Sequence, residues 1–166
     1  MKRLTWIAIL IAVAALAGCG GQPVEEEPKV VPVSGPEDDA YQTAVFAQAR
    51  AEWEQKAALG DMDSQRQLGV MYLLGQGIDA DYAVALDWFN KAAAQGEHIA
   101  QYQLGVMYAE GKGVEQNNVQ AHMWYSLSVQ QGNPSARIRL DELTAQMTAA
   151  EIAEGQELAD AWTPTS

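Results

Sequence analysis

The chain has 166 residues, of which 22 are acidic and 10 are basic, and its formal net charge is −12. This length allows one domain of ordinary size, and a hydrophobic content of 48% is sufficient to form a core. The excess of negative charge argues against a broad cationic surface, so we predict that the protein does not bind nucleic acid. The single cysteine, Cys19, cannot form a disulfide within the chain, so the fold is predicted to form without one.

The N-terminus has the layout of an export signal. Lys2 and Arg3 precede the apolar stretch LTWIAILIAVAALA at residues 4–17, and Gly18 and Cys19 follow it. A helix of 14 residues is about 21 Å long, which is less than the ~30 Å hydrocarbon core of a bilayer. A cleaved signal peptide at residues 1–18 is therefore a better interpretation than a membrane-spanning anchor.

The end of this signal, Leu16-Ala17-Gly18-Cys19, resembles the lipobox of bacterial lipoproteins. The resemblance implies that the Cys19 sulfur receives a diacylglyceryl group, that residues 1–18 are removed, and that the new N-terminus is acylated. Several acyl chains on one residue anchor a protein stably. Because Gly20 rather than an aspartate follows the cysteine, the resemblance implies the outer membrane, facing the periplasm, if the source cell has two membranes. The alternative is an ordinary secretory signal that ends in cysteine.

A segment rich in proline and acidic residues follows the cysteine. Residues 19–40 contain four of the six prolines and two acidic runs, Glu25-Glu26-Glu27 and Glu37-Asp38-Asp39. Proline lacks an amide donor and like charges repel, so we predict a disordered tether that extends up to about 60 Å. A binding motif for a basic partner or a cation is the alternative interpretation of the acidic runs.

Residues 41–166 are predicted to form one domain built from repeats. Residues 61–96 and 97–132 are adjacent, both have 36 residues, and they are identical at 13 positions. A period in this range is typical of helical solenoids, in which each unit buries its apolar face against its neighbours. The predicted fold class is therefore all-α: an α-solenoid of antiparallel helix pairs, flanked by half-repeats and closed by a capping helix near residues 147–162.

Each repeat is predicted to contain a first and a second helix. A glycine inside the first helix, Gly69 or Gly105, costs about 1 kcal/mol relative to alanine, which predicts a close approach of the second helix. The G-x-G pairs at 75–77 and 111–113 predict a turn with positive φ between the two helices. Side chains that can cap the following helices stand at Asp81, Asn117, Asn133 and Thr148.

These residues carry a family resemblance. The pattern A-x3-L-G-x2-Y-x2-G-x-G-V, followed by A-x2-W-[YF] and a final glycine, resembles the Sel1-like repeat, a relative of the tetratricopeptide repeat, over about residues 44–162. The matching positions of the first repeat are Leu68, Gly69, Tyr72, Gly75, Gly77, Trp88, Phe89, Ala92, Ala93 and Gly96. Ser64, Ser128 and Val129 depart from the pattern, and we expect them to loosen the packing locally. The resemblance implies a curved α-solenoid that acts as an adaptor in protein complexes.

No catalytic or metal-binding pattern is recognisable in the sequence. His98 and His122 are 24 residues apart, without a cysteine or carboxylate at ligand spacing, so we interpret both as surface or packing residues and predict no metal site. G-x-S-x-G, S-x-x-K and phosphate-binding loops do not occur, and no cofactor is predicted. We expect a protein that is not an enzyme. A cell-envelope enzyme, or a regulatory subunit of a cell-wall enzyme, is the alternative.

The concave face of the solenoid is the remaining candidate site, by analogy with tetratricopeptide geometry. We define it by the first-helix residues that point away from the core stripe: Asp63, Arg66, Val70, Leu73, Ile99, Tyr102, Val106, Glu110 and Ile138. Ile99, Tyr102 and Val106 have the i, i+3, i+7 spacing of an apolar groove that could hold a peptide or a helix. The alternative is that they pack against a neighbouring helix. The sequence thus predicts an envelope scaffold, tethered to the membrane through lipid, with an unidentified envelope protein or peptide as its partner.

Overall fold

The computed structural model describes residues 36–165, which form seven helices and, within that range, no strand. The helices are α1 (Pro36–Ala58), α2 (Met62–Leu74), α3 (Tyr82–Ala94), α4 (His98–Glu110), α5 (Asn118–Gln130), α6 (Pro134–Thr144) and α7 (Ala149–Ala161). Across residues 36–165 no helix combines the length and the apolar character needed to cross a bilayer. The predicted signal peptide, Cys19 and the tether up to residue 35 lie outside the described residues.

Helix α1 begins at Pro36, within the range that the sequence assigns to the tether. Proline is compatible with the first turn of a helix, where its missing amide has no partner to lose. The last five residues of the predicted tether, 36–40, are therefore helical.

Helices α2 and α3 form the pair of the first repeat, and α4 and α5 form the pair of the second. Each helix from α1 to α6 packs against its neighbours along the chain, which confirms the predicted α-solenoid. Side chains cap α2 to α6 at Asp61, Asp81, Glu97, Asn117 and Asn133. Helix α7 starts with a capping box made by Thr148 and Glu151. All four helix starts predicted from the sequence are confirmed.

The glycines inside the first helices lie directly under aromatic rings. A Cβ added to Gly69 would lie 2.7 Å from the ring of Phe89, and the Tyr125 ring covers Gly105 in the same way. Carbon atoms pack at about 3.5–4.0 Å, so a side chain at either position would displace the ring. The predicted close approach of the two helices is confirmed, and this contact sets their separation.

The turn glycines serve both the turn and the neighbouring repeat. Gly75, Gly77, Gly111 and Gly113 all have positive φ, between 68° and 72°, as predicted. A side chain at Gly113 would also collide with the backbone of Tyr82, at the start of the preceding second helix. The turn therefore packs onto the previous helix pair and holds successive repeats together.

Two buried glutamines, Gln65 and Gln101, connect successive repeats through hydrogen bonds. Gln101 Nε2 donates to the Ala93 carbonyl at 3.5 Å, and Gln101 Oε1 accepts from Gln131 Nε2 at 2.8 Å. Gln65 makes the corresponding two bonds one repeat earlier. A buried amide is stable only with such partners, so these contacts favour one register of the repeats. No sequence pattern predicts this role, although Gln65 and Gln101 form one of the 13 identical pairs of positions.

Helix α7 packs against α5 instead of forming a third pair with α6. In α6, Asp141 takes the place of Gly69 and Gly105, so the position that lies under an aromatic ring in the two repeats carries an exposed carboxylate here. On α5, by contrast, α7 places Gly155 against His122, where a Cβ would lie 2.7 Å from Nδ1. Helix α5 is thus surrounded by α4, α6 and α7, which is why residues 121–128 are all buried.

The chain continues from α7 as a stretch without regular secondary structure, residues 162–165, which we call the C-terminal segment. The ring of Trp162 lies edge-on to that of Trp124 in α5, with 6.4 Å between centroids. The Thr165 amide donates to the Ala94 carbonyl at 2.8 Å, at the end of α3. The C-terminal segment therefore ties the end of the described chain to the turn between α3 and α4.

The departures from the repeat pattern do not all loosen the packing. Ser128, in the place of an alanine, is fully buried, and its hydroxyl donates to the His98 carbonyl at 2.6 Å. Ser64 is buried as well. The expected looser packing is not found at Ser128, because the serine fits the alanine's space and gains a hydrogen bond between helices.

The contact between ring and glycine can be tested by Gly69→Ala. We expect the free energy of unfolding to fall by about 1–2 kcal/mol, since the overpacking cost exceeds the gain in helix propensity. Urea unfolding followed by circular dichroism measures this change. In a Phe89→Leu background the smaller side chain leaves more room, so the loss should shrink or reverse. An equal loss in both backgrounds would contradict the proposed contact.

Candidate functional site: the concave face

The candidate residues fall on the first helix of each unit, and several occupy equivalent positions. Arg66 in α2, Tyr102 in α4 and Ile138 in α6 are successively 36 residues apart. Val70 and Val106 are a second equivalent pair. The same surface position therefore carries a cation, an aromatic ring and an aliphatic side chain in successive units.

Tyr102 and Val106 are half-buried and pack between helices. Both contact the apolar cluster that includes Tyr125 of α5 and Leu140 of α6. The ring centroids of Tyr102 and Tyr125 are 5.9 Å apart, with 41° between the ring planes. Packing thus uses part of each side chain, and only the remainder is open to a partner.

Val70 and Leu73 are half-buried too, but they pack against a different cluster, which includes Phe89 of α3. Ile99 is partly exposed at the first turn of α4 and belongs to neither cluster. The apolar residues of the concave face are therefore divided between two clusters: Val70 and Leu73 pack in one, and Tyr102 and Val106 pack in the other. The groove of Ile99, Tyr102 and Val106 stays a prediction. Ile138, with 60% of its surface exposed, is the most open apolar member of the concave face.

Arg66 connects two repeats electrostatically. Its guanidinium lies 3.6 Å from the Asp63 carboxylate and 3.7 Å from that of Glu97. The Glu97 carboxylate is buried and also caps α4, accepting from the Ile99 amide at 3.1 Å. Nε of Arg66 is buried without a hydrogen-bond partner among residues 36–165. Arg66 thus combines a structural role with partial exposure on the concave face.

Glu110 belongs to a chain of exposed ion pairs at the end of α4. Its carboxylate lies 2.7 Å from Lys112 Nζ and 3.5 Å from the Arg139 guanidinium, which also contacts Glu142 at 3.1 Å. The hydrogen bond to Glu110 raises the pKa of Lys112, so this ammonium stays charged. Ion pairs as exposed as these contribute about 0–1 kcal/mol each, so they are available for exchange with charges of a partner.

An open polar cleft lies beside these ion pairs, between α4, α5 and α6. Its lining includes Glu110, Arg139, Glu142 and Gln146, with the Tyr125 side chain below them. Burial raises the pKa of Tyr125, so its hydroxyl stays protonated. Charged and amide side chains of this kind suit hydrogen bonding to polar peptide groups.

The two histidines have no shared site among the described residues. His98 is partly exposed at the start of α4, with Nδ1 3.7 Å from the Glu97 carboxylate. His122 is only 3% exposed, and its Nδ1 lies 3.4 Å from Ser126 Oγ. Across residues 36–165 no group of three or more His, Cys, Asp or Glu side chains is placed to hold a metal ion.

Comparison with known proteins finds Sel1 repeats both in the sequence and among similar solved structures. The Sel1 repeat model matches residues 63–97 and 98–133. A solved Sel1 repeat protein from Oxalobacter formigenes is 37% identical, with a TM-score of 0.53, over 54% of this chain and 68% of that one. A protective antigen of uropathogenic Escherichia coli strains that displays an SLR fold is 29% identical, with a TM-score of 0.65. That match covers 74% of this chain but only 28% of the antigen. No curated protein matches the chain.

The burial of His122 makes stability depend on pH. Burial lowers the pKa of His122 from its ordinary value of 6.5, although a hydrogen bond with the Gly155 backbone opposes this effect. The unfolded chain therefore takes up the proton more readily, and stability falls as the pH drops below 6.5 through the lower, folded pKa.

The test compares the free energy of unfolding at pH 7.5 and pH 5.0 in the wild type and in His122→Asn. We expect a smaller decline in the variant, because its side chain takes up no proton in this range. His98→Asn, at a partly exposed position, serves as the matched control and should decline as the wild type does. An equal decline in all three proteins would contradict the role of His122.

Proposed function

The chain belongs to the Sel1 repeat family, and from this premise we propose that it is a lipid-anchored scaffold of the cell envelope that binds a protein partner. Sel1 repeats suggest a protein–protein interaction scaffold, and repeats of this kind create extended concave surfaces. One observation carries the proposal. The chain contains two adjacent 36-residue repeats, each folded as a helix pair, whose core is buried and whose first helices are partly exposed.

The pattern of repeated positions supports a binding role for the concave face. Leu68 and Leu104, at one repeated position, are identical and fully buried. Arg66, Tyr102 and Ile138, at another, differ in charge and shape, and each is at least partly exposed. Identical core residues maintain one backbone geometry, while different surface residues allow selective contacts with a partner. We propose an envelope protein or peptide as that partner.

The N-terminal sequence supports the membrane anchor. The lipobox resemblance places Cys19 at the site of lipid attachment, and the first described helix begins 17 residues later at Pro36. At a polyproline rise of about 3.1 Å per residue, such a tether reaches about 50 Å. The repeat domain would then stand clear of the lipid headgroups, on the periplasmic side of the outer membrane in a diderm cell.

A scaffold is favoured over an envelope enzyme or a regulatory subunit of one. Sel1 and SLR repeat proteins are generally non-enzymatic scaffolds. Two glutamates, an arginine and amide side chains line the polar cleft, and such groups are suited to hydrogen bonding with a peptide. Hydrolytic activity of the purified protein on cell-wall material would contradict this choice.

The anchor is tested by Cys19→Ser. If the Cys19 sulfur carries the lipid, the variant should lack the lipid and should be released from the membrane fraction. Metabolic labelling with a radioactive fatty acid, followed by fractionation and immunoblotting, measures both effects. A variant that still incorporates the label would contradict attachment at Cys19.

The concave face is tested by a double substitution, Asp63→Arg with Ile138→Asp. Both side chains are exposed, so the fold should be retained, whereas changes at half-buried Tyr102 or Val106 would also disturb packing. We expect the substitutions to abolish the recovery of crosslinked partners from envelopes. Glu154→Arg, on the exposed side of α7, is the matched control and should leave recovery unchanged. Recovery of the same partners with the double variant would show that they bind elsewhere.

A further inference from the structure

The C-terminal segment is itself a bound peptide, held by the turn between α3 and α4. Its Trp162 ring lies against Trp124, and Pro164 contacts Gly96 at the turn. The backbone at Trp162 is extended, with φ −73° and ψ 138°. An aromatic residue, a spacer and a proline therefore lie across one end of a helix pair.

A hydrogen bond at the end of α3 completes this docking. Both the amide and the hydroxyl of Thr165 donate to the Ala94 carbonyl, at 2.8 Å and 3.3 Å. A cavity remains beside the segment, lined by Gln95, Gly96, Leu127, Gln130, Gln131, Trp162 and Pro164. We call this site, made by Trp124, Gly96 and Ala94, the α3–α4 turn cleft.

The repeat creates the same arrangement 36 residues earlier, at the turn between α1 and α2. Trp88, Gly60 and Ala58 occupy the places of Trp124, Gly96 and Ala94, and we call them, with Leu59, the α1–α2 turn cleft. The two turns have the same backbone conformation: φ is 90° at Gly60 and 94° at Gly96. Their hydrogen bonds also correspond, since each glycine amide donates to the residue three positions before it, at 3.0 Å and 2.9 Å.

No segment of residues 36–165 occupies the α1–α2 turn cleft. A Cβ built on Gly60 has no atom within 4 Å, whereas the one on Gly96 meets Pro164. Leu59, at the edge of the cleft, is 89% exposed, the largest value among the exposed large apolar residues described. The Ala58 carbonyl accepts no hydrogen bond from the described chain. The parts that hold the C-terminal segment are thus repeated here: Ala58, Leu59 and Gly60 are exposed, and Trp88 is half-buried.

We propose that the α1–α2 turn cleft binds an extended segment of a partner protein, in which an aromatic residue stands two positions before a proline. The aromatic ring would pack on Trp88, the proline on Gly60 and Leu59, and a backbone amide would donate to the Ala58 carbonyl. Proline restricts the free segment to extended conformations, which reduces the entropy lost on binding. The chain's own C-terminal segment supplies the model for this chemistry, because it is seated in the same way one repeat further on.

One difference between the two clefts indicates which residues the bound segment should contain. Lys91 takes the place of Leu127, and its Nζ lies 3.9 Å from the centre of the Trp88 ring. An ammonium group over an indole ring interacts favourably with it, and this contact would be partly displaced by an incoming aromatic residue. A carboxylate beside the aromatic residue of the ligand would compensate by pairing with Lys91. The preferred segment is therefore acidic just before its aromatic residue.

This surface shares no residue with the concave face, so it can bind a partner whether or not the concave face does. The α1–α2 turn cleft uses residues at the end of α1 and on α3, whereas the concave face uses residues of α2, α4 and α6. The two surfaces can be disabled independently by substitution.

The test uses a peptide with the sequence of residues 160–165, Asp-Ala-Trp-Thr-Pro-Thr. The peptide is acetylated at its N-terminus and labelled with a fluorophore. Fluorescence anisotropy is measured while the full-length protein in detergent micelles is titrated in. We expect saturable binding that Leu59→Asp weakens at least tenfold and that Lys91→Glu also weakens. Leu59 is exposed, so Leu59→Asp should leave the circular dichroism spectrum unchanged. Ile138→Asp, an equally simple change on the concave face, is the matched control and should not alter the affinity.

The peptide itself has a control, in which alanine replaces both the tryptophan and the proline, and this control should not bind. Absence of saturable binding by the unchanged peptide would overturn the proposal. Binding that is equally tight to Leu59→Asp would overturn it as well, because the peptide would then be displacing the C-terminal segment from the α3–α4 turn cleft or binding elsewhere.

Discussion

The packing of an aromatic ring on a glycine backbone is the contact on which this solenoid depends. Phe89 on Gly69 and Tyr125 on Gly105 set the distance between the two helices of each pair. In the third unit Asp141 takes the place of these glycines, and the helix that follows α6 packs on α5 instead. The ring-on-glycine contact thus occurs in both full repeats, where the close-packed helices leave no room for an extra side chain.

The hydrogen bonds of the buried glutamines are likewise confined to the two full repeats. Gln101 is buried and joins two repeats through its side-chain amide, whereas Arg137, in the corresponding place of the third unit, is exposed. A buried amide needs fixed partners, which only a properly spaced helix pair provides. The end of the pairing and the end of this hydrogen-bond series therefore coincide at α6. Helix α7 then covers α5, with acidic side chains on its exposed side that keep this end of the molecule soluble.

A repeated backbone with changing surface residues gives the molecule its binding potential. The turn at Gly60 and the turn at Gly96 have the same conformation, but Leu59 at one is solvent-exposed and Gln95 at the other donates to Gln65. The concave face shows the same principle. Since the core contacts hold the backbone in place, the chemistry of these surface positions can differ from one repeat to the next without a change in the fold.

The sequence by itself determined the period, the helix pairs, the caps and the role of Gly69, because these features depend on local conformation and on a pattern that occurs twice. It did not determine that Tyr102 is half-buried against Tyr125, or that α7 lies on α5. Those outcomes depend on contacts between residues distant in sequence that follow no period, such as the bond from Thr165 to Ala94 across 71 positions. Only the tertiary structure could decide them, since each requires the helices to be assembled first.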